Sequence, residues 1–412
     1  MLRRLRIVRR FLALVRADPA GFRTGFVAHL LSTATGLAAG VTLGSITGTL
    51  EQLPGLLVLV PAAVGLRGNV YGALGSRLGT AVATGTFRLS ARRDTDVGQN
   101  LWAAASLSFG TSLLLALVAK GVAESFGVRG AMSIGEFITV SVVGALIPTV
   151  VVMAITVGVA ALSVRREYDL DNVAAPVVTA AADTVTLPSL FLAALLVIDA
   201  PRWLVATLAI ASATACLTTL VVCIRSHLPV LRRVARESLP FLIAAGALST
   251  FAGVTIQSRF DSLSEEPALL IVIPPLLSLS GSLAGILSAR VATKLHLGLV
   301  RPDRFSPRPV VEDITLVYVI AMPIFLVLGI AADVIAAIAG IASPGVIEML
   351  VLMMLAGILA TALSCVVAYF GALVTYRLGW DPDNNGIPIV SSASDFLGAA
   401  SLMVSLAILG LS

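Results

Sequence analysis

The chain has 412 residues, 58% of them hydrophobic and only 12% charged, and its mean hydropathy of +0.99 is too apolar for a soluble globular domain. The net charge of +5 is not a nucleic-acid signature, because the arginines are confined to particular loops. Cys216, Cys223 and Cys365 fall inside apolar segments with no CxxC spacing and no paired His, which argues against a disulfide framework or a zinc site.

The chain opens MLRRLRIVRRFLALVRADP, with basic and apolar residues interleaved and no uninterrupted apolar core of the kind a signal peptide needs. The pattern predicts an amphipathic helix lying on the inner membrane surface, in a segment 1–23. Apolar segments of spanning length follow at Phe26–Leu50, Pro54–Ala83, Leu101–Ala123, Ile134–Val164 and Val173–Ile198. Trp203–Ile224 is an additional one. The series then repeats at Leu239–Gln257, Pro267–Val291, Val310–Ile341, Val346–Tyr376 and Asn385–Leu411. The prediction is eleven helices arranged five, one, five: a repeat over 24–200, a linking helix and loop over 201–237, and a second repeat over 238–412.

A cytoplasmic N-terminus places 21 of the 28 basic residues on the inner side and four outside, which sets the expected orientation, with the C-terminus outside. Five spans reverse the chain and the linking helix restores its direction, so both repeats point the same way. The expected pseudo-twofold axis therefore runs along the membrane normal.

Two stretches occur twice. Leu56–Gly85 reads LLVLVPAAVGLRGNVYGALGSRLGTAVATG, and Leu269–Gly298 reads LLIVIPPLLSLSGSLAGILSARVATKLHLG. Pro61 matches Pro274, Gly68 matches Gly281 and Arg77 matches Arg290. The Gly, Pro and small polar residues in mid-segment predict a broken or closely packed helix beside a polar cavity. Asp169–Asp183 reads DLDNVAAPVVTAAAD, and Asp381–Asp395 reads DPDNNGIPIVSSASD. A helix starting at Val173 carries Asp183 about 15 Å along its axis, near the midplane of a hydrocarbon core about 30 Å thick. A carboxylate there costs roughly 2.5–3.5 kcal/mol even on a lenient scale. Two at matched positions call for a physical reason, and a bound cation is the simplest.

These two signatures, each in two copies over nearly the whole chain, resemble the MgtE-type magnesium transporters. They are closer still to solute carrier family 41, whose members fuse two MgtE-like five-helix units through a linking helix. The resemblance implies that the fifth-helix aspartate contributes to a magnesium site in a pore. It departs at Arg67-Gly68-Asn69, which becomes Ser280-Gly281-Ser282 in the second copy. The bacterial type also carries cytosolic sensing domains, for which these residues leave no stretch, so gating by them is not carried over.

The predicted metal ligands are therefore Asp183 and Asp395, with the hydroxyls of Thr179 and Ser391 four residues earlier on the same helical face. Mg²⁺ takes hard oxygen ligands and keeps several waters, which suits two carboxylates flanked by hydroxyls. The alternative is that each Asp pairs with Arg77 or Arg290, or is only packed. Asp169, Asp171, Asp381 and Asp383 are expected at the cytoplasmic mouth, where they either concentrate cations or join Asn172 and Asn384 in capping the fifth helices. Gly68, Asn69, Gly281 and Ser282 are expected beside the pathway or in helix packing. The reading is a transporter, not an enzyme, for Mg²⁺ or another hard divalent cation. Its partners are the ion and membrane lipid, with no nucleic acid, and one chain suffices because the duplication mimics a homodimer. The alternatives are an ion-coupled carrier for another solute, which would need a mid-membrane cation such as Arg67, or an intramembrane Mg²⁺-dependent prenyltransferase-like enzyme.

Overall fold

The computed structural model describes residues 19–166, 170–302, 308–380 and 386–411, and among these there are helices and no strands. In chain order the helices are α1 Pro19–Ser45, α2 Thr47–Gln52, α3 Leu56–Ala83, α4 Asp96–Ser125, α5 Ile134–Val143, α6 Leu146–Arg166, α7 Leu170–Asp199 and α8 Arg202–Ile224. They continue as α9 Pro229–Gln257, α10 Phe260–Glu265, α11 Ala268–Ile271, α12 Ile273–His296, α13 Arg308–Ala339, α14 Val346–Arg377 and α15 Ile387–Leu409. Ten spans, counting α5–α6 and α11–α12 as one each, are long and apolar enough to cross a membrane. The 27-residue α1 holds the remaining predicted position. The N-terminal amphipathic segment lies largely outside the described residues.

Boundaries differ from the predicted ones in instructive ways. The fourth span breaks at Gly144–Ala145 into α5 and α6. Helix α9 begins ten residues before Leu239, so Arg232, Arg233 and Arg236, read as loop residues, ride on its first turns. Helix α7 begins at Leu170 rather than Val173, so Asp171 and Asn172 lie within the helix instead of capping it, and Pro176 falls beyond the first turn. Pro388 does sit at the start of α15, where its missing N–H costs nothing. The predicted mid-helix break is absent from α3, which continues through Pro61; its partner in the second half breaks only near its start, at Val272.

The duplication is visible in the backbone. Helices α3 and α12 end in the same left-handed glycine cap, Gly85 (φ 69°) and Gly298 (φ 70°). In each half the fifth helix packs on its own first and second helices: α7 on α1 and α3, and α15 on α9 and α12. Between halves the packing is reciprocal, with α1 against α11 and α12, and α9 against α3.

Glycines make these crossings close. A Cβ at Gly40 would stand 2.0 Å from the Ile271 carbonyl oxygen, and one at Gly253 would stand 2.5 Å from that of Val58. The two pairs are repeat counterparts, since Gly40 lies 213 residues before Gly253 and Val58 lies 213 before Ile271. Along both crossings the partners run antiparallel, as Gly36–Pro275 with Gly44–Pro267 and Gly253–Val58 with Gln257–Gly55 show. Since consecutive spans reverse direction, α1 and α9 are parallel, and so are the halves. Helix α8 has no counterpart. It packs outside the first half on α4 and α5, with most of its surface left for lipid.

Candidate cation site between the halves

The fifth helices carry their aspartates to the seam between halves. Asp183 and Asp395 are buried, at 4% and 7% exposure, and both reach α12 within one turn, at Ser278 and Gly281. Neither forms an ion pair among the described residues. Arg290 instead bonds Asp313 of α13 through Nε at 2.8 Å, together with Lys294, so the predicted alternative of an Asp395–Arg290 pair does not hold. Two bare carboxylates facing one another repel, and a cation between them removes the repulsion.

Each carboxylate is held by one serine that sequence reasoning missed. Ser278 Oγ of α12 donates to Asp183 Oδ2 at 2.8 Å, across the halves, and lies 3.0 Å from Ser32 Oγ of α1. A hydroxyl has a single proton, so with Ser278 donating to the carboxylate, Ser32 donates to Ser278. Ser249 Oγ of α9 donates to Asp395 Oδ2 at 3.0 Å, within its own half. The repeat register makes the exchange clear. The counterpart of Ser278 is Gly65, whose Cβ would stand 3.4 Å from Asp395 Oδ2, and the counterpart of Ser249 is Gly36. Ser278 was legible as a hydroxyl opposite a glycine in the aligned repeats. Ser249, a lone serine on an apolar helix, gave no comparable signal.

The remaining predicted residues divide by half. Ser391 lies against Gly281, whose Cβ would stand 2.6 Å from Ser391 Oγ and 3.1 Å from Asp395 Oδ1. Thr179 is half-buried one turn before Asp183, and Gly68 and Asn69 are half-buried on α3. Ser282 turns its hydroxyl back to the Leu279 carbonyl of its own helix. Asp169, Asp381, Asp383 and Asn384 lie outside the described residues, and of Asp171 and Asn172 only the backbone is described.

The site is sealed on one side. Every residue of 56–63 and 268–277 is buried. Toward the ends carrying the basic loops, α3 presents half-buried Gly65, Gly68, Asn69, Gly72 and Ala73, then exposed Ser76 and Thr80. This face carries Gly, Ala, Asn, Ser and Thr in place of large apolar side chains. Arg67 is not part of it: 1% exposed, it bonds the Ala63 carbonyl and Ser112 Oγ inside the first half. No three His, Cys, Asp or Glu side chains converge among the described residues. What the site offers is two carboxylates and hydroxyls.

Apolar spans in two repeated halves, with two buried carboxylates at the seam between them, define a polytopic membrane protein. The MgtE family profile, described as divalent cation transporter, matches residues 60–193 and again 273–405, once per half, and the chain belongs to that family. Two curated relatives are similar along most of their length, both named solute carrier family 41 member 3. The protein from Rattus norvegicus is 25% identical over 389 residues, covering 88% of this chain and 82% of its own. The one from Mus musculus is 26% identical over 377 residues, covering 85% and 75%. No solved structure matches.

Proposed function

We propose that this protein carries Mg²⁺, or a similar hard divalent cation, across the membrane between its two halves, and that Asp183 and Asp395 bind the ion near the midplane. The observation that carries the reading is the pair of buried carboxylates at matched positions of α7 and α15, without a basic partner among the described residues. A doubly charged ion balances two carboxylates, and its retained waters are held by the hydroxyls around them, Ser249, Ser278, Thr179 and Ser391. Two carboxylates without thiolate or imidazole favour a hard ion over a soft one. With the basic loops in the cytoplasm, the N-terminus inside and the C-terminus outside, the conformation described here is open inward and shut outward.

Both carboxylates come from one chain, so a single chain forms the whole site, with α8 as the link between repeats 24–200 and 238–412. Arg67, the only candidate for an anionic-substrate site, is occupied within its own half, which weighs against the organic-anion carrier. Membership in a transporter family weighs against the prenyltransferase-like reading.

The test is uptake into liposomes containing purified protein and a magnesium-sensitive dye. Wild type should fill the vesicles down a Mg²⁺ gradient. Asp183→Ala and Asp395→Ala, each checked for folding, should each lose at least about tenfold in rate, since removing one of two ligand charges weakens the hold on a doubly charged ion. Unchanged flux in both would return the aspartates to packing.

A further inference from the structure

The two seams between second and fifth helices, which repeat symmetry would make alike, are different. At Gly281 the α12–α15 seam is full, with Ser391 Oγ and Asp395 Oδ1 at 2.6 and 3.1 Å from where a Cβ would stand. At its counterpart Gly68 no described atom lies within 4 Å of that point. The residues matching Ser391 and Asp395 are Thr179 and Asp183, both described, so α7 stands off from α3 at the level where α15 touches α12. One turn further toward the basic end, Gly285 meets Ile387 Cγ2 at 3.5 Å, while the side chain of Ile387's counterpart, Ala175, lies outside those described. Ile387 corresponds to Ala175, a far smaller side chain. Gly68 and Gly72 are half-buried, and Gly281 and Gly285 are buried.

One matched pair of polar groups follows the same division, while the two carboxylates are alike, each accepting one serine hydroxyl at Oδ2 and none at Oδ1 among the described residues. Asn69 makes no hydrogen bond to a described residue, whereas Ser282 at the matching position is satisfied by its own helix.

We infer that the inner half of the cation path is displaced from the pseudo-twofold axis into the first repeat, running between α3 and α7 past Asn69, Gly68 and Gly72 to Asp183. The α12–α15 seam is a closed wall that holds Asp395 at the end of that path. This rests on the transport reading for its purpose, but not for its geometry. A hydrated ion needs a lining without bulk and with oxygen atoms to replace lost water. The first seam supplies both, while in the second those places are taken by Ser391 and Ile387.

The experiment compares matched single cysteines, Gly72→Cys with Gly285→Cys and Ser76→Cys with Ala289→Cys. The background is a full-length chain in which buried Cys216, Cys223 and Cys365 are replaced by alanine. The protein sits in liposomes and meets a charged, membrane-impermeant methanethiosulfonate reagent on both faces. The first-repeat member of each pair should react at least about tenfold faster, because a thiol behind packed helices reacts only after local opening. Modification of the Gly72→Cys protein should also stop ion flux, and Mg²⁺ should slow its labelling. Rates within about twofold across both pairs would overturn the inference in favour of an axial path. Faster labelling in the second repeat, or none at either first-repeat position, would also overturn it. The rates are read without any transported ion, so a protein that moves no Mg²⁺ yet labels asymmetrically would refute the transport reading and leave the displaced path standing. The Ser76/Ala289 pair, at a less crowded level, keeps the comparison available should Gly285→Cys fail to fold.

Discussion

The first and second repeats use one motif for two purposes. In the second, α12 is pressed onto α15 through Gly281, and its far end is tied to α13 by Arg290, Lys294 and the buried Asp313. In the first, Gly68 faces space, and the residue matching Asp313 is Asn100, whose side chain bonds the backbone of its own helix instead. Even the serines are exchanged, with Ser278 reaching Asp183 across the seam and Ser249 reaching Asp395 within its half. A symmetric dimer must place the same residue at both positions and so cannot divide the work. A duplicated chain can, and here the crossings at Gly40 and Gly253 have stayed symmetric while the contacts at Gly68 and Gly281 have diverged.

The largest effects should come where symmetry is kept. Gly40→Ala and Gly253→Ala each place a Cβ inside a backbone carbonyl's contact distance on the opposite half. Neither backbone can yield without parting the halves. Each should cost about 3 kcal/mol or more, at the upper end of what overpacking costs, read as a fall of several degrees in melting temperature in detergent. A large loss in one and none in the other would break the symmetry of the outer seal.

Smaller effects should come from the exchanged serines. Ser278→Ala and Ser249→Ala each remove a hydrogen bond to a carboxylate, about 1.5–3 kcal/mol. Because only Ser278 bridges the halves, its loss should lower thermal stability more, while both should raise the Mg²⁺ concentration for half-maximal flux. Equal stability losses would show that the cross-half bond has no special standing.

The smallest effect concerns the far end of the second helices. Asp313→Asn leaves Arg290 and Lys294 beside a neutral side chain and should cost about 1–3 kcal/mol in melting experiments, with little change in flux. Asn100→Asp in the first repeat should change stability by less, since the register offers Arg77 but Ala81 stands where the second repeat has Lys294.

How much of this was legible beforehand follows from the physics of each feature. Spanning segments announce themselves because the bilayer demands about 20 apolar residues, and the odd eighth helix and parallel halves follow from counting. Asp183 and Asp395 stood out because a charge in hydrocarbon is costly enough to need a cause. Helix starts were less legible: the Arg232–Arg236 run reads as loop, yet α9 extends through it with Arg232, Arg233 and Arg236 exposed. Ser249 and the open and closed seams were out of reach, because they depend on how closely two similar helix pairs pack at one level. Gly68 and Gly281 are the same letter in the same motif, and only the tertiary packing separates them.

The most direct test of the central claim is a structure determined with Mn²⁺ as a hard, anomalously scattering stand-in for Mg²⁺. A single strong anomalous peak between the Asp183 and Asp395 carboxylates, lost in the Asp395→Ala protein, is the predicted result. A well-ordered structure saturated with Mn²⁺ that shows its peaks elsewhere and none between those carboxylates would contradict the account.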